Sequence, residues 1–320
     1  MTESQTTVLV PGRIHPRALE RLKSAFTVIQ TEAGAEMALS QDDKAKIAGV
    51  ATTNRMPAAW IAELPNLKVI SNFGVGYDGV DAVFAASRGI IVTHTPDVLN
   101  DEVADTTIGL LINTVRRLPV AETYLREGRW EKEGPFALSP LSLKNRHVGL
   151  LGLGRIGIEI AKRLEPFKVK ISYHTRNPRE GVPYTYVPTL IELAKSVDTL
   201  ISIIPATAET HKIINADILS ALGPNGVFIN VGRGTSVDED ALMAALKSGT
   251  IAAAGLDVFY DEPRIPAGFF DLPNLSMLPH VASASVPTRN DMADLVVDNL
   301  IGWFRDGKVL TPVPETPVKG

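Results

Sequence analysis

The run Val148-Gly149-Leu150-Leu151-Gly152-Leu153-Gly154-Arg155-Ile156-Gly157 sets the reading of the whole chain. Its apolar first half predicts a buried strand over His147–Gly152, and Ile156–Leu164 has the spacing of an amphipathic helix. Between them Gly152, Gly154 and Gly157 fit G-x-G-x-x-G. Each glycine has its own task. The first makes a tight turn, the second lets backbone approach a pyrophosphate, and the third lets helix and strand pack closely. The helix N-terminus adds amides and the positive end of a dipole. Three glycines alone would say little. Strand, turn and helix in this order point to a dinucleotide site, with Leu153, Arg155 and Ile156 completing the turn.

A sheet that takes NAD places Asp or Glu at the end of its second strand, about 20 residues on, to bind the ribose hydroxyls. Here that strand, Lys170–His174, runs into Thr175-Arg176-Asn177-Pro178-Arg179, and no carboxylate comes before Glu180. Arg176, with Arg179 as a second cation, stands where a 2′-phosphate would lie, so NADP (NADPH) is the expected cofactor. His174 and Thr175 are placed to touch the adenosine end. The competing reading of this stretch is a solvated basic loop.

Working outward, short β-rich runs alternate with helical stretches almost from end to end, the pattern of helices layered on parallel sheets. Strands are expected at Val8–Val10, Thr27–Gln30, Gly49–Thr52, Lys68–Asn72 and Ile90–Thr93, then at Thr199–Ile204, Val227–Val231, Ala253–Val258 and Leu275–Leu278. A helix over Asp101–Arg117, with Asn100 as its N-cap, separates the two groups, and Glu122–Leu141 reads as an irregular excursion. A final helix at about Thr288–Asp306 carries apolar-spaced positions, Asn299 among them, that the preceding sheet does not need. It is expected to cross back and complete the first domain, and the proline-bearing tail after it to be extended. The fold class is therefore α/β with two doubly wound parallel-sheet domains. Residues 1–98 plus 287–320 form the smaller, flavodoxin-like substrate domain. Residues 99–286 form the larger, Rossmann dinucleotide-binding domain.

Composition narrows the function. The 320 residues suit two domains at ~100–200 residues each. With 32 basic against 36 acidic residues the net charge is −4, so no basic surface advertises nucleic acid. The absence of cysteine removes a disulfide framework, a thiol nucleophile and thiolate–zinc sites. No run of about 18 apolar residues suggests a membrane span, and the polar start lacks the basic and apolar regions of a signal peptide. A cytoplasmic protein with neither membrane nor metal partner is expected.

Three further strand ends carry polar groups in apolar or glycine-rich settings. They are Asn230-Val231-Gly232-Arg233-Gly234, Gly255-Leu256-Asp257-Val258-Phe259-Tyr260-Asp261-Glu262-Pro263 and Leu278-Pro279-His280-Val281-Ala282-Ser283. Ligands of open α/β sheets bind outside the carboxyl ends of strands, so these ends converge for a geometric reason. An arginine between glycines can hold a carboxylate with its fork. Taken singly, His280 could be a structural histidine, Arg233 a surface ion-pair partner and Glu262 the bracket of a turn. After a dinucleotide fingerprint, the three form a set suited to hydride transfer.

With these motifs in order, the chain resembles the D-2-hydroxyacid dehydrogenase family, and within it the glyoxylate/hydroxypyruvate and hydroxyphenylpyruvate reductase branch. The resemblance also covers Asn72-Phe73-Gly74-Val75-Gly76-Tyr77-Asp78-Gly79-Val80-Asp81, so it extends over both domains. It implies that Arg233 binds the carboxylate and keto oxygen of a small 2-keto acid, that His280 is the acid/base, and that Glu262 pairs with it. It implies backbone amides of Val75 and Gly76 on the substrate carboxylate and Asp257 facing the nicotinamide carboxamide. Thr210 and Pro205 would lie near the cofactor phosphates or ribose, as would Val231 and Gly232. It also implies a homodimer built on the Asp101–Arg117 helix and the segment after it. Ala282 departs from the pattern, which often has glycine there, by one methyl group. An S-adenosylmethionine methyltransferase would share the glycine-rich turn but leave Arg233, Glu262 and His280 without common purpose. A dinucleotide-sensing corepressor would share the fold without turnover.

Overall fold

A computed structural model of the chain describes residues 6–317; the first five residues and the last three of the tail fall outside them. The chain divides into two compact units, Met1–Leu99 with Ser285–Gly320, and Asn100–Ala284.

The first unit holds β1 (Thr7–Val10), β2 (Thr27–Gln30), β3 (Ile47–Thr52), β4 (Val69–Asn72) and β5 (Ile91–Thr93). They pair in parallel in the order β2-β1-β3-β4-β5, which is the flavodoxin-like winding. β1 and β4 are buried along their whole length, as strands covered on both faces must be. Two helices that the sequence pattern does not reveal, Gln41–Lys46 and Ala82–Ser87, are too short to show a helical period. Their caps are legible, however: Ser40 and Asp81 each accept a backbone amide three residues on.

The helix Val286–Asp306 packs in this first unit. Arg17 sets its fork on Asp294, and Arg21 reaches both Asp294 and Asp298. The Ser71 hydroxyl donates to the Val296 carbonyl, and a Cβ added to Gly49 would lie 3.0 Å from the Phe304 ring. Asn299 takes an apolar position in the periodicity and is fully buried, but as a polar clip. Its Oδ1 accepts the amides of Leu310 and Thr311, and its Nδ2 donates to the Leu295 carbonyl and the Thr311 hydroxyl. The following chain then runs along β5, where the Val313 amide donates to the Val92 carbonyl and blunts the sheet edge.

The second unit holds β6 (His147–Leu151), β7 (Lys170–His174), β8 (Thr185–Tyr186), β9 (Thr199–Ser202), β10 (Val227–Asn230), β11 (Ala253–Leu256) and β12 (Leu275–Met277). All pairs are parallel, in the order β12-β11-β10-β9-β6-β7-β8. Counted within the unit this is 3-2-1-4-5-6-7, the Rossmann order with one strand added, and its winding reverses between β6 and β9. Side chains alternate between two cores: Leu200, Phe228 and Ala254 face one, Ile201, Val227 and Ile229 the other. Several strands stop one or two residues short of the expected ends, because the backbone leaves the sheet to form the site loops. β8, two residues long, carries no readable pattern.

The first half of the segment expected to be irregular, Glu122–Leu141, is helical, and residues 134–141 are irregular as expected. Asn100–Arg116 is followed by helices Leu118–Arg126 and Arg129–Glu133. Arg117 at φ 54° and Gly128 at φ 69° break the path, and Pro119 opens the next helix instead of closing the last. Asn100 is the first helical residue and not a residue outside it. Among the described residues no helix is long and apolar enough to cross a membrane, and no cluster of His, Asp and Glu is placed to hold a metal.

Candidate active site

The turn after β6 has the stereochemistry its glycines were read for. Gly152 sits at φ 99°, and a Cβ there would lie 2.9 Å from the Ile203 carbonyl oxygen. At Gly157 a Cβ would come within 2.5 Å of the Gly152 oxygen, so the helix Arg155–Leu164 can close on the turn only through glycine. Gly154 is different: a Cβ there meets nothing within 4 Å. Space therefore stays open over a helix N-terminus that no side chain caps. This cradle fits a pyrophosphate. Leu153 is buried in the core and its carbonyl is occupied, so only its amide is left for a ligand, while Arg155 is exposed and Ile156 half-buried.

At the end of β7, the Arg179 guanidinium donates to that Leu153 carbonyl at 2.8 Å, and its amide donates to the buried Tyr173 hydroxyl. Arg179 therefore ties the loop to the glycine turn. Arg176 is exposed, and its charge contributes to holding the Glu209 carboxyl below the usual range, after the Thr207 hydroxyl and the Glu209 amide. Thr175 donates to the Asn177 carbonyl, and the His174 ring is fixed by Nδ1 on the Val187 carbonyl. Thr210 is half-buried and braces its own loop, its hydroxyl donating to the Pro205 carbonyl and accepting the Thr207 amide. Gly232 is needed for close approach, since a Cβ would lie 2.7 Å from the Ile204 oxygen; Val231 beside it is buried.

Two loops from β11 and β12 come together around one imidazole. His280 Nδ1 and Glu262 Oε2 are 2.6 Å apart, and the other Glu262 oxygen accepts the Phe259 amide at 2.9 Å. Burial pushes the Glu262 carboxyl up. The hydrogen bonds from His280 and Phe259 and the charges of His280 and Arg233 outweigh it and hold the group below the usual carboxylate range. His280 itself is at φ 52°, an uncommon conformation for a residue with a Cβ. Asp257 holds it there. Its carbonyl accepts the His280 amide, and its two carboxylate oxygens accept the amides of Val281 and Ala282. Asp257 is fully buried, which pushes its carboxyl up against the pull of those two amides. Asp257, expected to face the nicotinamide carboxamide, thus anchors the histidine loop, a role that its place in the sequence does not announce. Arg233 is half-buried, with Nη1 on the Gly232 carbonyl; a Cβ on the next residue, Gly234, would overlap the Phe259 backbone. Thus Arg233, Glu262 and His280 sit on loops braced against one another.

In the first unit, Val75 and Gly76 lie on the loop after β4. Buried Asn72, at the head of the Asn72–Asp81 stretch but given no role by the resemblance, donates to the Gly74 and Gly76 carbonyls, and His94 Nδ1 lies 2.9 Å from the Val75 carbonyl. The Val75 and Gly76 amides have no partner among the described residues.

Residues 108–282, more than half of the chain, match the family model of the D-isomer specific 2-hydroxyacid dehydrogenase NAD-binding domain. The chain belongs to the D-isomer specific 2-hydroxyacid dehydrogenases. This dehydrogenase is 46% identical over 256 residues to the glyoxylate/hydroxypyruvate reductase A of Arabidopsis thaliana, covering 80% of this chain and 81% of that one. It matches the hydroxyphenylpyruvate reductase of Plectranthus scutellarioides to the same extent, 46% over 256 residues with 80% and 81% covered. A crystal structure of an NADPH-dependent glyoxylate/hydroxypyruvate reductase from Sinorhizobium meliloti, in complex with NADP and malonate, shares 59% identity. Its TM-score with the dehydrogenase is 0.96, over 99% of each chain. Membership in the family removes the methyltransferase alternative.

Proposed function

We propose that this dehydrogenase reduces small 2-keto acids, glyoxylate and hydroxypyruvate foremost, to D-2-hydroxy acids with NADPH. The observation that carries the reading is the His280–Glu262 pair. With Nδ1 fixed on a carboxylate, Nε2 is the nitrogen left to hand a proton to the keto oxygen. Arg233, with guanidinium donors beyond the one on Gly232, orients the carboxylate and stabilises charge developing on the keto oxygen. The amides of Val75 and Gly76 hold the same carboxylate. Bound nicotinamide supplies the hydride. The glycine turn takes its pyrophosphate, and Arg176 takes the 2′-phosphate, in keeping with the missing acid after β7 and with the NADP bound by the Sinorhizobium relative. Purified protein assayed with glyoxylate should oxidise NADPH; an absence of turnover with any 2-keto acid, despite NADPH binding, would leave a dinucleotide-sensing protein instead.

A second reading has its own support. A hollow of about 390 Å³ beside Glu262 and His280 is lined by Phe259, Ile265, Phe270, Met277 and Leu278. Such walls suit an aryl group, and one relative is a hydroxyphenylpyruvate reductase. A panel of 2-keto acids ranked by kcat/KM separates the two: higher values for glyoxylate and hydroxypyruvate support the first reading, higher values for hydroxyphenylpyruvate the second.

A further inference from the structure

We propose that His94 is a positioning residue for the substrate, aiming the Gly76 N–H at the carboxylate by holding the carbonyl on the other side of the same peptide bond. The proposal rests on the reading of the Val75 and Gly76 amides as carboxylate donors. The Val75 carbonyl and the Gly76 N–H belong to one planar trans peptide, so fixing the first in space points the second the opposite way. His94 Nδ1 lies 2.9 Å from that carbonyl. Because a carbonyl oxygen only accepts, Nδ1 is the protonated nitrogen of the ring. The peptide before it is held independently: the Gly74 carbonyl accepts from Thr95 N and Asn72 Nδ2, which aims the Val75 N–H.

His94 is itself held at several points. Its amide donates to the Thr311 carbonyl, its carbonyl accepts the Thr311 hydroxyl at 2.6 Å, and its ring packs edge-on against Tyr77 at 5.4 Å. The Tyr77 hydroxyl donates to Glu315, and burial together with that carboxylate pushes the phenol up to about 12. A side chain braced this way, with a ring nitrogen on one carbonyl of a loop whose amides are unpartnered, does more than fill space.

The test compares wild type with His94→Ala and His94→Asn. Asparagine places an N–H near the position of Nδ1, so it should restore what alanine removes. For His94→Ala we expect the KM for glyoxylate to rise about 3- to 10-fold, the worth of one ordinary hydrogen bond. We expect kcat to change less than about 2-fold and the KM for NADPH to stay put. Amide NMR with oxamate, an unreducible keto-acid analogue, in the presence of NADP supplies a readout that does not depend on turnover. In wild type the Val75 and Gly76 resonances should both move; in His94→Ala the oxamate Kd should rise and the Gly76 response shrink. Resonances that stay still in wild type would overturn the reading of the amides and this proposal with it. Resonances that move with the same Kd in wild type and His94→Ala would overturn the proposal alone, as would an asparagine variant no better than alanine.

Discussion

The Glu262 carboxyl is pulled in opposite directions, upward by burial and downward by His280, the Phe259 amide and Arg233, and the downward pull prevails. It therefore stays ionised below the pH at which a free glutamate takes up its proton, and keto-acid reduction should hold its rate through that range. Glu262→Gln keeps the size of the side chain but loses the charge that holds His280 Nδ1, so kcat for keto-acid reduction should fall while the KM for NADPH stays put, as steady-state kinetics will show. His280→Ala should keep NADPH binding and lose about two to four orders of magnitude in rate; near-normal turnover would remove His280 from the chemistry. Arg176→Ala should raise the KM for NADPH by about 10- to 150-fold, the worth of a hydrogen bond to a charged group, and leave that for NADH nearly unchanged. Equal use of NADH and NADPH by wild type would reduce Arg176 to a solvated side chain. At this scale the sequence is a partial guide. Arg233, Glu262 and His280 stand out because each is a polar residue at the end of an apolar strand. Asn72 does not, because a buried asparagine looks like any other until its carbonyl partners are known. Asp257 was visible, but its hydrogen bonds to three residues of the histidine loop were not.

Elements were legible where a period had room to develop. The expected helices Ile156–Leu164 and Thr288–Asp306 fall within two residues of Arg155–Leu164 and Val286–Asp306, whereas Gln41–Lys46 and two-residue β8 are too short to carry a period. The helices of residues 118–133 are hard to read because Pro119, next to a basic helix end, is as compatible with a stop as with the first turn it occupies. Those helices and the loop after them leave Leu118, Val120, Leu125, Trp130 and Leu138 exposed, apolar side chains that an interface would cover. The expected occupant is a second copy of the chain. Sedimentation should show a dimer, and Leu125→Lys with Trp130→Glu should shift it toward monomer; a wild-type monomer would dispose of the assignment. In the first unit, Arg17 and Arg21 hold the Asp294 carboxyl below the usual range against a smaller push from burial. A carboxyl depressed in the folded state contributes stability that is present above its unfolded pKa and lost as pH falls through the folded one. Asp294→Asn should therefore cost about 1 kcal/mol at neutral pH, and the difference from wild type should vanish at strongly acidic pH, as urea titrations across that range will test.

For the molecule as a whole, the alternation of strands and helices was enough to give two parallel sheets, since every crossover between parallel strands needs a covering element. The strand order was not legible that way. It depends on which edge each crossover takes, and only the glycine turn at the end of β6 says where the winding should reverse. A bound dinucleotide stabilises whatever holds it, so NADPH at 100 times its Kd should raise stability by about 2.7 kcal/mol. Thermal unfolding should show the rise, and the same NADPH concentration should protect Arg176→Ala less. Hydrogen exchange should place the added protection around Gly152–Gly157.

The helix Val286–Asp306 has a consequence for how the protein is made. It packs with parts of the chain translated much earlier, Arg17, Arg21, Phe26, Gly49 and Ser71, and all of residues 100–284 come between. At about 5–20 residues per second the ribosome needs roughly ten to forty seconds to cross that interval. Throughout it, the nascent first unit has neither its longest helix nor the strip that covers β5. The nucleotide-binding half, whose sheet is continuous in the chain, can close before the amino-terminal half does, which inverts the usual order of folding from the first residue onward. The apolar surface left waiting over Phe26 and Gly49 is where a chaperone would find its hold.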